Sequence, residues 1–517
     1  MSNEFGCIKI EEFLKRIKGK VIGQILTDAK VRTFEAEYKI ENVDKNKIKI
    51  SRMSGSGDQV VLPKIIPIDR EMIAFFGLYS GDGAKGSEDS DNPGRVSVSI
   101  SFSQREPNLI RFAVNQFNRL FPDHLRFTFS LGEDSAYFMA GDGLEQMKNH
   151  YGGKIPSQKS LSEVRPNLDE ADKRYLSEHR DVSGTNEEHL SFYYQHKAVM
   201  QKILTDQKAR EIEKIGIKPS KSIKVTASLR RPFKKGARAP GGSSRADELH
   251  LGGLNGLGEL FLKILYEMEN SIYSDSKNSP QGLIEWNDIP SKTGERIKIQ
   301  EFFSKDSYGE ISSERPTFKT ESGKLVGLWP RSSEQTLADS LIINPLFAYA
   351  AGLYMAEGAT PKSTMFSMFA RRPTGLSVEF TSSEDGSISI ILRALNSLFP
   401  KDSVMHAWKI KVGSQYFAEL VSIGLKHGVP MLRGGESGDG KLRTMEISLA
   451  LKSWGLQVCP SLEPFADLYS HVEPTGAGVA RVHFWASSSL GKWIFPLFVY
   501  VLFGNEVSKP NGGFVID

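Results

Sequence analysis

Residues 75–83 read FFGLYSGDG, and residues 350–358 read AAGLYMAEG. Both stretches are largely apolar, share Gly-Leu-Tyr and end on an acidic residue followed by glycine. Each follows a good N-cap residue, Asp69 in one case and Asn344 in the other, and the closing glycine is a typical helix stop. The pattern predicts two helices that are buried on nearly all sides.

The sequence around these two helices contains two similar series of segments in the same order. Residues 8–14 (IKIEEFL) match residues 297–303 (IKIQEFF), and residues 102–122 match residues 380–400, which have the same length and also end in LFP. The separation between matched positions falls along the chain, so the first copy carries the insertions. An ordered series of matches indicates an internal duplication, that is, a covalent pseudo-dimer with an internal two-fold axis.

Each copy combines predicted helices and strands, so the expected fold class is α+β. Strands are predicted at residues 95–103, 137–140, 222–229, 246–251, 376–381, 416–417 and 480–485, with helices at 106–121, 258–270, 388–399 and 491–503. The expected segments are 1–66, a small β-rich leading segment; 67–285, the first repeat with insertions; 286–341, a linker and second leading segment; and 342–517, the second repeat.

Composition narrows the class of protein. The 517 residues are 39% hydrophobic, and 66 Lys plus Arg against 62 Asp plus Glu leave a formal charge of +4. Two cysteines exclude a disulfide framework and a four-cysteine zinc site. The longest apolar run, residues 493–503, is too short for a bilayer span. We expect an intracellular protein without a membrane partner, either cytoplasmic or nucleoid-associated.

Small residues recur four apart on each predicted helix. Gly77 with Gly81, and Gly352 with Ala356, would let two backbones approach closely, so we expect the helices to pack on each other.

Asp82 and Glu357 occupy equivalent positions in the last turns of these helices. A carboxylate is disfavoured there because a helix C-terminus carries partial negative charge. Two such acids related by a pseudo-two-fold axis would converge and could share a hard divalent cation such as Mg²⁺, next to a phosphodiester. The alternative is that each acid forms a local cap or a surface salt bridge.

The two stretches resemble the signature helix of the LAGLIDADG homing endonuclease family, with the final acids at Asp82 and Glu357. Two signatures in one chain resemble the single-chain, two-motif members. The resemblance implies tandem αββαββα units in a pseudo-two-fold monomer, with curved sheets over the DNA major groove. It also implies site-specific double-strand cleavage with Mg²⁺ (or Mn²⁺).

The same resemblance suggests further catalytic positions. Gln104 matches a glutamine that stands near the scissile phosphate in the family, whereas its counterpart Ser382 departs from that pattern. His250 and His483 lie near the place of a family lysine, and each precedes a Leu-Gly pair by seven residues. A histidine there could orient or deprotonate a water, or could be a core residue with satisfied hydrogen bonds.

Local charge predicts where nucleic acid would bind. Residues 214–238 of the first repeat include many basic residues and no acidic one, which fits a phosphate-contacting hairpin or a solvated loop. In the second repeat, Arg371 and Arg372 precede the strand predicted at residues 376–381. The leading segment is also rich in lysine. The predicted nucleic-acid-binding residues are Lys214, Lys218, Lys221, Lys224, Arg230, Arg231, Lys234, Lys235, Arg238, Arg371 and Arg372.

Other functional classes stay open at this level. The main alternative is a non-cleaving binder on the same fold, either an RNA splicing maturase or a DNA-binding regulator. A sugar- or peptide-binding α+β protein with fortuitous repeats is the third possibility.

Overall fold

The computed structural model describes residues 5–27, 30–53, 59–83, 86–88, 96–97, 101–104, 107–121, 126–170, 172–173, 176, 185–214, 216–218, 223–230, 247–252, 257–304, 318–320, 325–326, 336–357, 378–382, 385–398, 407–413, 442–443, 469–475, 481–486, 491–504, 507–508 and 515–516. The chain divides into two compact units. Unit 1 comprises Met1–Val98 and Gly256–Asp517, and unit 2 comprises Ser99–Asn255.

The described residues form eleven helices. They are α1 (Ile10–Arg16), α2 (Arg70–Asp82), α3 (Pro107–Leu120), α4 (Gly141–His150), α5 (Leu161–Val164), α6 (Thr185–Lys214), α7 (Gly258–Tyr273), α8 (Ile299–Ser304), α9 (Pro345–Glu357), α10 (Asp385–Leu398) and α11 (Gly491–Phe503). Within the same ranges, no helix has the length and apolar character needed to cross a membrane.

The strands are short and fall into several sheets. They are β1 (Gly6–Lys9), β2 (Lys20–Thr27), β3 (Lys30–Asn42), β4 (Lys47–Arg52), β5 (Val60–Pro63), β6 (Ile65–Ile68), β7 (Ser87–Glu88), β8 (Val96–Ser97), β9 (Ser101–Gln104), β10 (Arg126–Asp134), β11 (Ile223–Arg230), β12 (Asp247–Gly252), β13 (Ile284–Trp286), β14 (Glu295–Lys298), β15 (Phe318–Thr320), β16 (Leu325–Val326), β17 (Thr336–Leu337), β18 (Ser340–Ile343), β19 (Val378–Ser382), β20 (Ala407–Gly413), β21 (Leu442–Arg443), β22 (Tyr469–Thr475), β23 (Arg481–Ala486), β24 (Val507–Ser508) and β25 (Val515–Ile516). The fold class is mixed α+β, as predicted.

Helices α2 and α9 begin where the sequence predicts. The Met72 backbone N–H donates to the Asp69 carboxylate at 2.9 Å, and the Phe347 N–H donates to Asn344 Oδ1 at 2.8 Å. Both side chains therefore satisfy a backbone donor that a first helical turn leaves unpaired. Residues 72–80 and 345–355 are buried throughout, so both helices lie inside the core of unit 1, as predicted.

Each buried helix also packs on the helix that closes its own repeat. Tyr79 of α2 contacts Phe261 of α7 edge-on, with ring centroids 4.6 Å apart. The equivalent Tyr354 of α9 lies 5.2 Å from Phe498 of α11. Offset and edge-on aromatic pairs add specific geometry to the burial of apolar area. The two repeats therefore build the same helix-on-helix contact from equivalent tyrosines.

Two larger sheets follow the same plan, one in each repeat. In unit 2 the strand order is β11-β10-β12-β9, and in unit 1 it is β21-β22-β20-β23-β19. In both, the first strand pairs antiparallel with the last, the last pairs antiparallel with the second, and the second pairs parallel with the next-to-last. The sheet in unit 1 adds β21, which pairs antiparallel with β22 at the edge. Four strands of the two sheets therefore share one pairing pattern.

The leading segments repeat as well. Strand β1 pairs antiparallel with β6 immediately before α2, and β14 pairs antiparallel with β18 immediately before α9. The first leading segment inserts a four-stranded sheet, β2-β3-β4-β5, and the second a three-stranded sheet, β16-β15-β17.

Two features of unit 2 differ from the sequence prediction. The strand predicted at residues 137–140 is wrong, since Ser135–Met139 form a 3-10 helix. The reason is packing, because Phe138 is fully buried in a helical cluster with Met147 and Leu190. The 30-residue helix α6 is unforeseen, and it separates β10 from β11, which departs from the simple αββαββα order. The strand predicted at residues 416–417 lies outside the described residues.

Candidate metal centre and nucleic-acid interface

Helices α2 and α9 pack at backbone distance. A β-carbon built on Gly77 would overlap the Tyr349 carbonyl oxygen and lie 2.9 Å from Leu353 N. A β-carbon on Gly352 would overlap the Ala74 carbonyl oxygen and lie 2.8 Å from Leu78 N. Both positions therefore require glycine, because any side chain would push the helices apart.

The same close contact continues to the C-terminal ends of the helices. A β-carbon on Gly81 would overlap the Ala356 methyl group and lie 3.0 Å from Cγ of Glu357. The neighbouring residue, Asp82, is half-buried and ends α2, while Glu357 is exposed and ends α9. The structure therefore brings the two predicted acids to one end of a single helix pair.

The electrostatics of this end are unfavourable for negative charge. Burial, and after it the negative charge of Glu357, together raise the pKa of Asp82 from its ordinary 3.8 to about 8. Both helices also direct the negative ends of their dipoles toward these carboxyls. A cation between them would offset the repulsion and the helix-end potential together.

The two carboxyls suit a metal site whose remaining ligands are water and substrate, not other protein side chains. Among the described residues, no group of three or more His, Cys, Asp and Glu side chains is arranged to hold a metal ion. Mg²⁺ commonly takes one or two carboxylates and completes its shell with water and substrate phosphate oxygens. Asp82 and Glu357 supply that donor set.

Strand β11 of the sheet in unit 2 has an exposed and a buried side. Lys224 and Thr226 are exposed, whereas Leu229 is buried, as expected for side chains that alternate between the two faces of a strand. The strands pair Thr128 with both Lys224 and His250, and His250 with Ser101.

One described side chain relates the sheet of the second repeat to its buried helix. Phe380 of β19 is buried and stacks on Tyr354 of α9 at 6.4 Å. The strands pair Thr381 with His483, and they pair Lys409 with both His483 and His471.

Strands β20 and β22 were not predicted from the sequence, although residues 407–413 (AWKIKVG) alternate polar and apolar residues over much of their length.

The three further predicted catalytic residues fall on these sheets. Gln104 is the last residue of β9 and pairs with Asp247. His250 pairs with Thr128 on β10, and His483 pairs with Lys409 on β20. His250 lies opposite Ser101, three residues before Gln104, whereas His483 lies opposite Thr381, just before Ser382. The two histidines thus differ by two residues in register against the first strand.

The predicted basic run is described in part. Lys214 ends α6, Lys218 follows it and is exposed, Lys224 is exposed on β11, and Arg230 is the last residue of that strand. Lys221, Arg231, Lys234, Lys235, Arg238, Arg371 and Arg372 lie outside the described residues.

The lysines of the first leading segment are largely paired within it. Lys15 forms an ion pair with Glu11, Lys20 pairs with Glu35 at 2.9 Å, and Lys49 lies 3.7 Å from Glu41. These pairs reduce the local excess of positive charge.

This segment is also anchored to α7. The Tyr38 hydroxyl donates to Glu259 Oε2 at 3.1 Å and Arg52 contacts Glu259 Oε1 at 2.9 Å. The sheet β2–β5 is therefore held to the core of unit 1 by a buried polar cluster.

No protein-family model, curated protein or solved structure matches the chain significantly.

Proposed function

We propose that the chain is a site-specific double-stranded DNA endonuclease of the LAGLIDADG type, which hydrolyses phosphodiester bonds with Mg²⁺ or Mn²⁺ held by Asp82 and Glu357. One observation carries the proposal: two carboxyls from the C-terminal ends of two glycine-packed helices meet where negative charge is disfavoured. A protein without need for a cation gains nothing from holding both acids at such a place.

The chain's own residues would hold and orient the reacting groups. The close packing of Gly81 against Ala356 and Glu357 holds the ends of the two helices together. Burial of α2 and α9 leaves these helix ends little freedom, which is how a rigid scaffold positions a reacting centre. A divalent ion bound there supplies activation of water and stabilisation of the leaving oxygen.

The sheets supply surfaces suited to a duplex. Lys224 of β11 is exposed, and strand β20 of the second sheet contains Lys409 and Lys411. Basic residues bind phosphates, and polar side chains on strands can reach base edges in the major groove. Roles for Gln104, His250 and His483 in the cutting step belong to this proposal.

The test is to incubate the full chain with a random duplex DNA library and Mg²⁺ and to sequence the new ends. We expect recurrent ends at one long site, absent for Asp82→Asn and for Glu357→Gln. Glu71→Gln, a carboxyl change at the other end of α2, is the matched control and should cut normally.

Structured RNA added as a competitor separates the two candidate functions. A maturase would be titrated by the RNA at low concentration and yield no DNA ends, whereas an endonuclease would keep cutting. Binding to DNA without ends in Mg²⁺ or Mn²⁺ would favour the regulator and leave the acid pair to be explained otherwise.

A further inference from the structure

The first residue of α2 is bound by side chains of the second repeat. Arg70 Nη1 donates to Glu295 Oε2 of β14 at 3.3 Å, and its Cζ lies 4.7 Å from the ring centroid of Tyr500 of α11. The Tyr500 hydroxyl donates to the same Glu295 carboxylate at 2.9 Å. Phe302 of α8 packs edge-on against the Tyr500 ring, with centroids 5.4 Å apart. We call Arg70, Glu295 and Tyr500 the Arg70 cluster.

The Arg70 cluster links the N-terminal ends of the two buried helices. Glu295 pairs with Ile343 across β14 and β18. The residue after Ile343 is Asn344, the N-cap of α9. Arg70, at the start of α2, is therefore bound to the strand residue that lies beside the start of α9.

The contact between α2 and α9 leaves their alignment to be restrained by other residues. Gly77 lies against Tyr349 and Gly81 against Ala356, so the two helices run in the same direction. Packed helices interlock through ridges and grooves of side chains, and a glycine adds no side chain to a ridge. Tilting or sliding of one helix along the other therefore needs a restraint outside the glycine contact.

A cation is electrostatically unfavourable where Arg70 lies. The first turn of a helix carries partial positive charge, so an arginine there is disfavoured. The Glu295 carboxylate and the face of the Tyr500 ring compensate for the charge. The corresponding positions of the other repeat are Pro345, Gly6 and Glu267, which cannot form an arginine–carboxylate pair stacked on a ring. The restraint therefore acts from one side of the pseudo-two-fold axis.

We propose that Arg70 is a positioning residue that aligns α2 with α9 and thereby sets the spacing of the two helix-end acids. It acts through Glu295 and Tyr500. This inference rests on the proposed function, because it names a residue on which the cation site depends although the residue lies at the other end of the helix.

The length of α2 makes the acid spacing sensitive to this end of the helix. Asp82 follows Arg70 by twelve residues, which is about 18 Å along the helix axis. A tilt of about 3° at Arg70 would therefore move the Asp82 end by about 1 Å. Mg²⁺ demands near-ideal octahedral geometry, whereas Ca²⁺ accepts a variable number of oxygen ligands in flexible arrangements. Misalignment of the helices should thus weaken Mg²⁺ binding more than Ca²⁺ binding.

The experiment is calorimetric titration of the full chain with Mg²⁺ and, separately, with Ca²⁺ at neutral pH. Arg70→Met should lose about tenfold in Mg²⁺ affinity, the loss typical of disturbed support around a metal site. Its Ca²⁺ affinity should change by less than about threefold. The melting temperature of each variant in a chelator is recorded alongside, because a residue that only stabilises the fold would lower it and leave the ratio of the two affinities unchanged.

Two further variants make the test specific. Arg296→Met is the matched control, because Arg296 is exposed, follows Glu295 and donates to Ser340 Oγ at 3.0 Å within the same strand pair. It should keep the wild-type ratio of affinities. Arg70→Glu combined with Glu295→Arg reverses the ion pair and should recover Mg²⁺ affinity relative to Arg70→Met.

A wild-type affinity ratio in Arg70→Met, at any melting temperature, would overturn the inference and leave the endonuclease proposal intact. An equal loss in Arg296→Met would also overturn it, as would a charge-reversed variant as weak as Arg70→Met. A wild-type protein that binds neither cation would instead contradict the proposed function and this inference together.

Discussion

Replacing Asp82 by asparagine should stabilise the protein when no divalent cation is present. The folded pKa of Asp82 is about 8, well above that of an aspartate in an unfolded chain. The folded state therefore favours the protonated form, and its stability falls as pH rises from about 4 to about 8. Asparagine keeps the shape of the side chain and removes the charge, so the variant should escape that loss.

The pKa difference sets the size of the effect. At pH 8 it corresponds to an upper limit of about 5 kcal/mol, since each unit is worth about 1.4 kcal/mol. Water reaches this half-buried carboxyl, and we expect about 2 kcal/mol in measurement. For a compact unit of about 360 residues, this is a rise in melting temperature of roughly 2–3 °C.

The assay is thermal unfolding of wild type and Asp82→Asn in a chelator, at several pH values between 5 and about 8.5, the range that spans the raised pKa. The variant and the wild type should coincide at the acid end and separate progressively toward pH 8. Glu71→Gln is the control, because a carboxylate in the first turn of α2 interacts favourably with the helix dipole, so its loss should destabilise slightly.

Added Mg²⁺ should then raise the melting temperature of the wild type and leave Asp82→Asn unchanged. If Asp82→Asn were no more stable than the wild type at any pH in this range, the two helix ends would not disfavour a negative charge on Asp82, and the reasoning would be wrong.

Three other predictions concern packing and buried charge. Gly352→Ala should destabilise unit 1 by about 1–3 kcal/mol in denaturant unfolding, because its methyl group would overlap a backbone carbonyl of α2; an unchanged midpoint would contradict the close approach. Arg52→Met should cost about 3 kcal/mol by leaving the buried Glu259 without its cation, and adding Glu259→Gln should recover part of the loss. Burial lowers the pKa of His196, so unit 2 should lose stability as pH falls below about 6.5, with faster hydrogen exchange in α6; His196→Gln should not show this loss.

Local sequence patterns were sufficient to predict the buried helix pair. Asp69 and Asn344 cap the helices as predicted, because short polar side chains before an apolar run are preferred N-cap residues. The four-residue spacing of Gly77 and Gly81 predicted the close approach, and duplication with a two-fold relation predicted that Asp82 and Glu357 converge. What the sequence could not provide is the separation and burial of the carboxyls, which depend on the crossing of α2 and α9.

The pairing of strands that are distant in the sequence was harder to predict. Nothing local indicates that β10 pairs in parallel with β11, some ninety residues later in the chain, because such a register depends on the helices that intervene. Helix α6 was hidden by its mixed polar composition, and its burial depends on partners in α4 and α5.

The most direct test of the central claim is calorimetric titration of the full chain with Mn²⁺ at neutral pH, for wild type, Asp82→Asn, Glu357→Gln and Glu71→Gln. A site shared by the two helix ends predicts binding by wild type and Glu71→Gln, and a loss of at least about tenfold in affinity for either acid variant alone. Undiminished Mn²⁺ binding by both single acid variants would contradict the claim that Asp82 and Glu357 hold one cation between them.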